Sequence, residues 1–519
     1  MANASTTHIE TAAPLRVVLM TPYGIDNGGI RHLAAVARTR GAAVRTIFLK
    51  RWRNNNISLP TEREIRLFLD LVTDFSPDLV GIGFGSPYFK PVRDLTERLR
   101  TCTKAPIILG GIHPTLMPEA CIPWCDYLCI GEGEAAFDEL LARMQRGESV
   151  RDVRNIWVNH GGKIIRNPVR PLIADLDTVP FRDFTDEGKF FIDDNRVQPG
   201  DPLRGASVLR VHASRGCPFH CAFCYNSSLR AVYGSRGNYY RRRSAGNVLR
   251  EIHAARRILP RINRIKFDDD SFVHSRTWID EFTRRYPDEV GLTFDLMLNP
   301  QAISEDTLWK LKRAGLDNVQ IGIQSASAEE SEGLYERRDP NRSVRRFSRL
   351  NRLLKLDVVY DVIFDNPLAG PTDKDQLLDL LLRLDQPFKL YLYSLTLFPQ
   401  SSVTRTMLRE GMITPADVEG EATKSFHQFR LSFDWPRSAE DEFYISLTIL
   451  IAKHFVPRRL IRRLRGSAYL RRRPAMLKAA AQAANLVKMA AIGFTMLRRG
   501  DLSMVKIREY ASFKRMIFQ

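Results

Sequence analysis

The sequence predicts an α/β protein with a doubly wound, Rossmann-like domain over residues 15–146 and a partial (β/α)6 barrel over 206–400. A stretch over 147–205 connects them, and a basic helical region follows over 401–519. Three observations predict this. Short apolar runs alternate with amphipathic segments through both α/β regions, the pattern of parallel strands joined by helical crossovers. Small residues follow the apolar runs, at the strand ends where parallel sheets bind ligands. Beyond residue 400 the alternation stops, apolar residues recur at helical spacing, and Lys and Arg accumulate.

Length and charge bound the reading further. A chain of 519 residues is long enough for several domains. Sixteen Lys and Arg lie from residue 457 onward against Asp501 and Glu509, which is +14 of the formal +19, so the remainder is close to ordinary. No nucleic-acid partner is expected on that distribution. No run of about twenty apolar residues appears, so no membrane-spanning helix is expected. Residues 1–14 are polar and alanine-rich without the basic start and apolar core of a secretory signal, so a cytoplasmic protein is expected. The basic, apolar-striped tail suits three readings: a domain closing over the barrel mouth, helices in peripheral contact with the inner membrane surface, or plain solvated helices. Seven cysteines, an odd number, point to reduced thiols and metal ligation rather than disulfides.

In the first domain the spacing predicts strands at 16–20, 44–49, 79–84, 106–109 and 127–130, and helices at 30–40, 61–75, 91–100 and 134–146. Gly85-Ser86 follows the third strand, Gly110-Gly111 the fourth, and Gly131-Glu132-Gly133-Glu134 the fifth. Glycine there permits positive φ and close approach of backbone to a ligand. Cys121, Cys125 and Cys129 imitate a ligand run, but their strand and helix positions read as core, where cysteine is a small hydrophobe. In the connecting stretch, 155–158 and 163–166 around His160-Gly161-Gly162 read as a β-hairpin, and Pro168, Pro171 and Pro180 as an extended strap.

The second α/β region predicts strands at 208–213, 264–268, 292–296, 319–323, 358–363 and 390–396. Directly after the first of these, Cys217, Cys221 and Cys224 stand at C-x-x-x-C-x-x-C spacing. A tight loop turns three such thiolates inward, and soft sulfur ligands suit iron–sulfur chemistry. A cubane has four irons, so three ligands leave one iron open to a small molecule. A structural zinc knuckle is the rival, but it asks for a fourth ligand and paired spacing, and the nearest candidate, His220, lies within the loop.

These cysteines, followed by the aromatic Tyr225, resemble the signature of radical S-adenosylmethionine (SAM) enzymes, in which a [4Fe-4S] cluster binds SAM through its open iron. Phe267-Asp268-Asp269-Asp270-Ser271-Phe272 resembles the F-x-D-D-x-F motif of the cobalamin-linked branch, and implies that Asp269 and Asp270 meet the SAM amino group; the plainer reading is acids capping the next helix. Ala314-Gly315 and 321–327 resemble the family's ribose-side segment, with Gln324 in place of a carboxylate and Ala326 in place of a glycine, and imply SAM contacts at Gln324 and Ser325. Asp365 and Asn366 occupy the turn after the fifth strand.

Upstream, Gly110-Gly111-Ile112-His113-Pro114-Thr115 and then Gly131 to Glu134 resemble the cobalamin-binding domain that precedes many radical SAM domains. The resemblance implies corrinoid contacts at Gly85, Ser86, Gly110, Gly111, His113, Thr115, Glu132, Gly133 and Glu134. The D-x-H-x-x-G motif whose histidine ligates cobalt is replaced by Asp26-Asn27-Gly28-Gly29, which implies a lower face without that ligand; His113 reads by default as a turn-capping residue.

The resemblance implies reductive cleavage of SAM to methionine and a 5′-deoxyadenosyl radical, hydrogen abstraction from a small-molecule, lipid or peptide substrate, and methyl transfer from cobalamin. An electron donor such as flavodoxin or ferredoxin is implied. Alternatives are oxidative cyclisation or rearrangement within the same branch, or a tRNA methylthiotransferase, which would need a second cluster on Cys121, Cys125 and Cys129.

Overall fold

The computed structural model describes residues 13–51, 58–335, 340–366, 369–418 and 437–498. The chain divides into two compact units, one formed by 1–51, 59–171 and 178–203 and the other by 52–58, 172–177 and 204–519.

The first unit is built on nine strands: β1 Arg16–Pro22, β2 Ala43–Leu49, β3 Leu79–Gly83, β4 Ile107–Gly110, β5 Tyr127–Cys129, β6 Ile156–His160, β7 Lys163–Ile165, β8 Lys189–Asp193 and β9 Arg196–Pro199. Their order is β7-β6-β5-β4-β3-β1-β2-β8-β9. The five strands β1 to β5 are parallel, and the chain reverses direction across the sheet between β1 and β3. That reversal opens a crevice at the carboxyl ends of the strands, the position where doubly wound sheets bind ligands. The strands are apolar almost throughout because helices cover both faces, and Val17, Leu19, Leu79 and Ile108 are buried among Ile30, Ala34 and Phe137 of the covering helices.

The connecting stretch contributes more than expected. Its first hairpin, β6–β7, adds antiparallel strands to one edge of this sheet, and 189–199, beyond the prolines read as a strap, forms a second hairpin, β8–β9, at the other. Asp194 and Asn195 both take positive φ (51° and 59°), the two-residue turn that matches the twist of paired strands. β8 pairs in parallel with β2, and Lys189 and Asp201 from this segment join Arg31 in a buried ion network: Asp201 accepts from Arg31 at 2.6 Å and from Lys189 at 2.8 Å.

The second unit carries six parallel strands, β10 Val208–Val211, β13 Arg264–Phe267, β14 Thr293–Leu298, β15 Leu316–Gln324, β16 Asp357–Asp365 and β17 Lys389–Ser394, with a two-stranded ribbon of β11 Ser214–Arg215 and β12 Arg241–Arg242. The spatial order of the six equals their order in sequence. Every crossover therefore turns the same way, which curls a parallel sheet toward a barrel instead of winding it doubly.

The described part of 401–498 is helical, as expected. From Phe443 onward the helix Ala439–Ile451 is buried on nearly every side because it is sandwiched between Pro371–Arg383 and Pro474–Arg498, while its first turn carries Glu440, Asp441 and Glu442. Ion pairs reinforce the sandwich: Arg465 donates to Asp375 at 2.7 Å and Asp379 at 2.5 Å, and Lys374 pairs with Asp441. Among the described residues no helix is long and apolar enough to cross a membrane.

Candidate active site

The cysteine loop leaves the carboxyl end of β10 and is anchored before its first thiol. β11 pairs with β12, and Gly216 then turns the chain with φ +76°. A Cβ there would stand 2.3 Å from the Tyr239 carbonyl oxygen, so only glycine fits. Cys224 caps the N-terminus of the helix Tyr225–Tyr233, which directs the positive end of the helix dipole at the loop. Three residues that the sequence reading passed over complete the support. Asn226 Nδ2 lies 3.8 Å from Cys224 Sγ, the Tyr239 hydroxyl donates to Asn226 Oδ1 at 2.7 Å, and Arg230 donates to the Cys217 carbonyl while stacking over the Tyr239 ring.

Apolar walls enclose the loop. Phe223 meets Tyr335 edge-on at 4.9 Å and Tyr225 meets Phe398 at 6.0 Å. The Ala222 N–H donates to the Tyr335 carbonyl and its own carbonyl accepts from Val403, which ties the middle of the loop to the segments following β15 and β17. Burial pushes the Cys217 thiol up to about 11 and the Cys224 thiol up to about 12, so each keeps its proton until a metal displaces it. His220 is exposed. Among the described residues no three His, Cys, Asp or Glu side chains converge closely enough for a single ion. A cluster that takes each thiolate on a separate iron needs no such convergence, so this donor set fits an iron–sulfur cube better than a zinc ion.

The three acids after β13 are placed differently. Asp268 pairs with Arg210 at 2.6 Å and Lys266 at 3.2 Å. Asp269 is buried; it accepts from the Ala213 N–H at 3.2 Å and from the Ser214 hydroxyl, and burial raises its carboxyl to about 7. It braces the exit of β10, in place of the SAM contact the motif suggested. Asp270 is exposed and accepts from the Tyr225 hydroxyl at 3.0 Å. Gln324 closes β15 with φ +66° at a slip in the register with β16. Ser325 is buried and its hydroxyl accepts from the Ser327 N–H at 3.1 Å. Asp365 accepts from Ser394 at 2.9 Å and from Arg437, a residue the sequence did not single out, and Asn366 donates to the Tyr335 hydroxyl at 3.2 Å. Pro367 and Leu368, in the same turn, lie outside the described residues.

In the first unit the loops after β3, β4 and β5 are latched to one another. His113 is buried between Phe84 and Phe89, and its Nδ1 lies 3.0 Å from Ser86 Oγ. Burial pushes its imidazole down to about 4, so the ring is neutral, and its Nε2 is buried with no partner. Gly111 has φ +110°, and a Cβ there would stand 2.5 Å from the Phe84 carbonyl oxygen. Thr115 donates its hydroxyl to the Gly111 carbonyl at 2.7 Å and accepts from the Gly131 N–H at 2.9 Å. Asn155 Nδ2 donates to the Glu132 carbonyl at 2.9 Å, and Gly133 precedes the helix that begins at Glu134. Gly85 starts the turn that carries Ser86.

Two tyrosines absent from the sequence reading, Tyr23 and Tyr88, stack at 4.9 Å across the loops after β1 and β3, at the point where the strand order reverses. Asn27, where a cobalt-ligating motif would lie, accepts from the Ile30 N–H and donates to Thr21, a purely local cap. Glycine loops at the carboxyl ends of these strands let a ligand approach the backbone closely.

Cys121, Cys125 and Cys129 are buried, and burial pushes the first and last up to about 12. Cys125 Sγ donates to the Cys121 carbonyl at 3.6 Å and Cys129 packs in the sheet core, as hydrophobes do.

Known proteins agree with this geometry. A B12 binding domain model matches residues 17–141 and a Radical SAM superfamily model residues 211–384. An uncharacterised methyltransferase of Pyrococcus horikoshii is 27% identical over 264 residues, 50% of this chain and 54% of the relative. An anaerobic magnesium-protoporphyrin IX monomethyl ester cyclase of Rubrivivax gelatinosus is 26% identical over 272 residues, 49% of this chain and 45% of the relative. The chain thus spans about half the length of these curated relatives. Among solved structures, the radical S-adenosylmethionine methyltransferase TsrM from Kitasatospora setae, with cobalamin and a [4Fe-4S] cluster bound, superposes with TM-score 0.60 at 17% identity, covering 76% of this chain and 78% of its own. The cobalamin-dependent S-adenosylmethionine radical enzyme OxsB, with aqua-cobalamin and S-adenosylmethionine bound, superposes with TM-score 0.63 at 13% identity, covering 97% and 84%. At those identities the likeness is one of fold. The chain thus carries a match to the B12 binding domain model upstream of a match to the Radical SAM superfamily model, with its cysteine triad following the first strand of the parallel barrel inside the second.

Proposed function

We propose that the protein holds a [4Fe-4S] cluster on Cys217, Cys221 and Cys224, binds SAM and cobalamin, and methylates an unactivated carbon of a small-molecule, lipid or peptide substrate. The observation that carries this is the buried three-thiol loop at the carboxyl ends of the barrel strands, in a chain that also bears a B12 binding domain. When bound, these groups supply reductive SAM cleavage to methionine and a 5′-deoxyadenosyl radical, and a transferable methyl group.

The chain's own residues do the rest. Gly216 and the β11–β12 ribbon aim Cys217, the helix N-terminus at Cys224 favours negative charge on the thiolates, and the Phe223, Tyr335 and Phe398 rings keep water off the loop. Asp270 is the carboxylate left to accept the SAM ammonium, oriented by the Tyr225 hydroxyl. Gln324 and Ser325 shape the wall at the end of β15, where the SAM ribose is expected. Gly85, Ser86, Gly110, Gly111, Thr115, Glu132, Gly133 and Glu134 form the corrinoid cradle, with His113 holding Ser86 in place.

A radical SAM enzyme requires an external electron donor, here a flavodoxin or ferredoxin, and the basic C-terminal region supplies a peripheral membrane contact. Oxidative cyclisation is the second reading, favoured by the relative named as an anaerobic cyclase.

Anaerobic reconstitution tests the proposal: about four irons per chain, a corrinoid absorbance and 5′-deoxyadenosine formation under reducing conditions are expected. About eight irons would indicate the methylthiotransferase alternative, and no 5′-deoxyadenosine would sink the proposal.

A further inference from the structure

Between Glu442 and Asp501 the sequence holds thirteen Lys and Arg and no Asp or Glu. The structure shows which of these charges the fold uses. Arg465 clamps Asp375 and Asp379, Arg471 meets Glu440 at 3.4 Å, and Lys478 meets Glu442 at 3.2 Å. Among the described residues, Arg459, Arg462, Arg463, Arg472 and Arg473 are exposed and have no carboxylate partner. Arg473 stacks over the Tyr469 ring at 5.5 Å, and the others make no ion pair among the described residues.

The adjoining helix Pro474–Arg498 has two apolar faces. One is buried, with Leu477, Ala481 and Ala484 packed toward Ala439–Ile451. The other is exposed and runs its whole length at alternating spacings of four and three residues: Met476, Ala480, Ala483, Val487, Ala490 and Phe494. Phe494 is 62% exposed and Val487 57%, values at odds with a helix face meant for water. The helix is not apolar enough to span a bilayer, but an exposed stripe of this kind on a helix that directly follows the exposed Arg472 and Arg473 is what an interfacial helix needs.

We propose that this surface docks on a membrane carrying anionic phospholipid, with the arginines on the headgroup phosphates and the Met476–Phe494 stripe in the acyl boundary. A nucleic acid would satisfy the arginines and leave the stripe in water. A second copy would cover the stripe but bring like charges together. A lipid surface satisfies both features.

The test is co-sedimentation of the full-length protein with vesicles of phosphatidylcholine alone or mixed with phosphatidylglycerol, at low and high salt. Binding is expected to the mixed vesicles only, and to weaken with salt. The triple variant R459Q/R462Q/R463Q is expected to bind on the order of a hundredfold more weakly, at roughly fivefold per arginine. V487S/F494S is expected to bind more weakly with its salt dependence unchanged. Both variants are expected to keep the parent's unfolding midpoint and 5′-deoxyadenosine formation. Equal binding to neutral and anionic vesicles, or none to either, overturns the proposal. So does a dimer that V487S/F494S dissolves, or an RNA oligonucleotide bound more tightly than the mixed vesicles.

Discussion

Asp269 and Asp270 are neighbours in one motif, yet their substitution should have opposite consequences. Asp270 is exposed, accepts one bond from Tyr225, and faces the cysteine loop. Removing it by Asp270→Ala deletes a charge-assisted bond to the SAM ammonium worth about 1.5–3 kcal/mol, roughly a ten- to hundredfold rise in Kd. Stability should change by less than about 1 kcal/mol, because Asp270 itself is exposed and gives up a single side-chain hydrogen bond. Asp269→Ala instead strands the buried Ala213 N–H and the Ser214 hydroxyl, and at about 1–3 kcal/mol per unsatisfied group it should cost about 2–5 kcal/mol of stability.

The protonation of Asp269 adds a pH signature. Its folded carboxyl is raised from 3.8 to about 7, so the folded state holds the proton more tightly than the unfolded one. That contribution is fully present below the unfolded value and is lost as pH rises through about 7, a loss of a few kcal/mol at about 1.4 kcal/mol per unit. Asp269→Asn should flatten that slope. Equilibrium dialysis of SAM against the anaerobically reconstituted protein and urea unfolding across this pH window measure both effects. The assignment is refuted if Asp270→Ala binds SAM as the parent does, or if Asp269→Ala weakens SAM binding while leaving the urea midpoint unmoved.

The remaining predictions follow from single contacts. Gly216→Ala should abolish cluster retention, read as iron per chain, because its Cβ would sit 2.3 Å from the Tyr239 carbonyl at φ +76°. Gly111→Ala should destabilise the first unit by about 2–4 kcal/mol and lose corrinoid absorbance, since it combines positive φ with a backbone clash. Gly110→Ala, whose Cβ would meet Cys129 at an ordinary 3.5 Å, should cost less than about 1 kcal/mol and serves as its control in the same urea titration. Burial pushes the Lys453 ammonium down from 10.5 to about 8, so the unfolded state binds more protons and stability should rise with pH between those values. Lys453→Met should remove that rise and add about 1–2 kcal/mol near neutral pH, seen as a higher urea midpoint.

The order and type of elements were legible because each α/β unit repeats a local pattern, apolar strand, small-residue turn, amphipathic helix, and the physics of that pattern is contained within a few residues. The cysteine triad was legible for the same reason, since three ligands on one loop are close in sequence. The β8–β9 hairpin was missed because its turn, Asp194-Asn195, takes positive φ without the glycine that usually marks such a turn in sequence. What the tertiary structure decided is everything that depends on which groups share a buried volume. It separated Asp269 from Asp270 by burying one against Ala213 and Ser214, gave His113 to Ser86, and brought Tyr335 and Arg437 to the loops of the candidate site from distant positions. Sequence alone thus determined the two α/β units and the metal-binding loop through local periodicity and spacing; the roles of single polar side chains were set by long-range packing, because desolvation and hydrogen-bond partnership are properties of the folded neighbourhood.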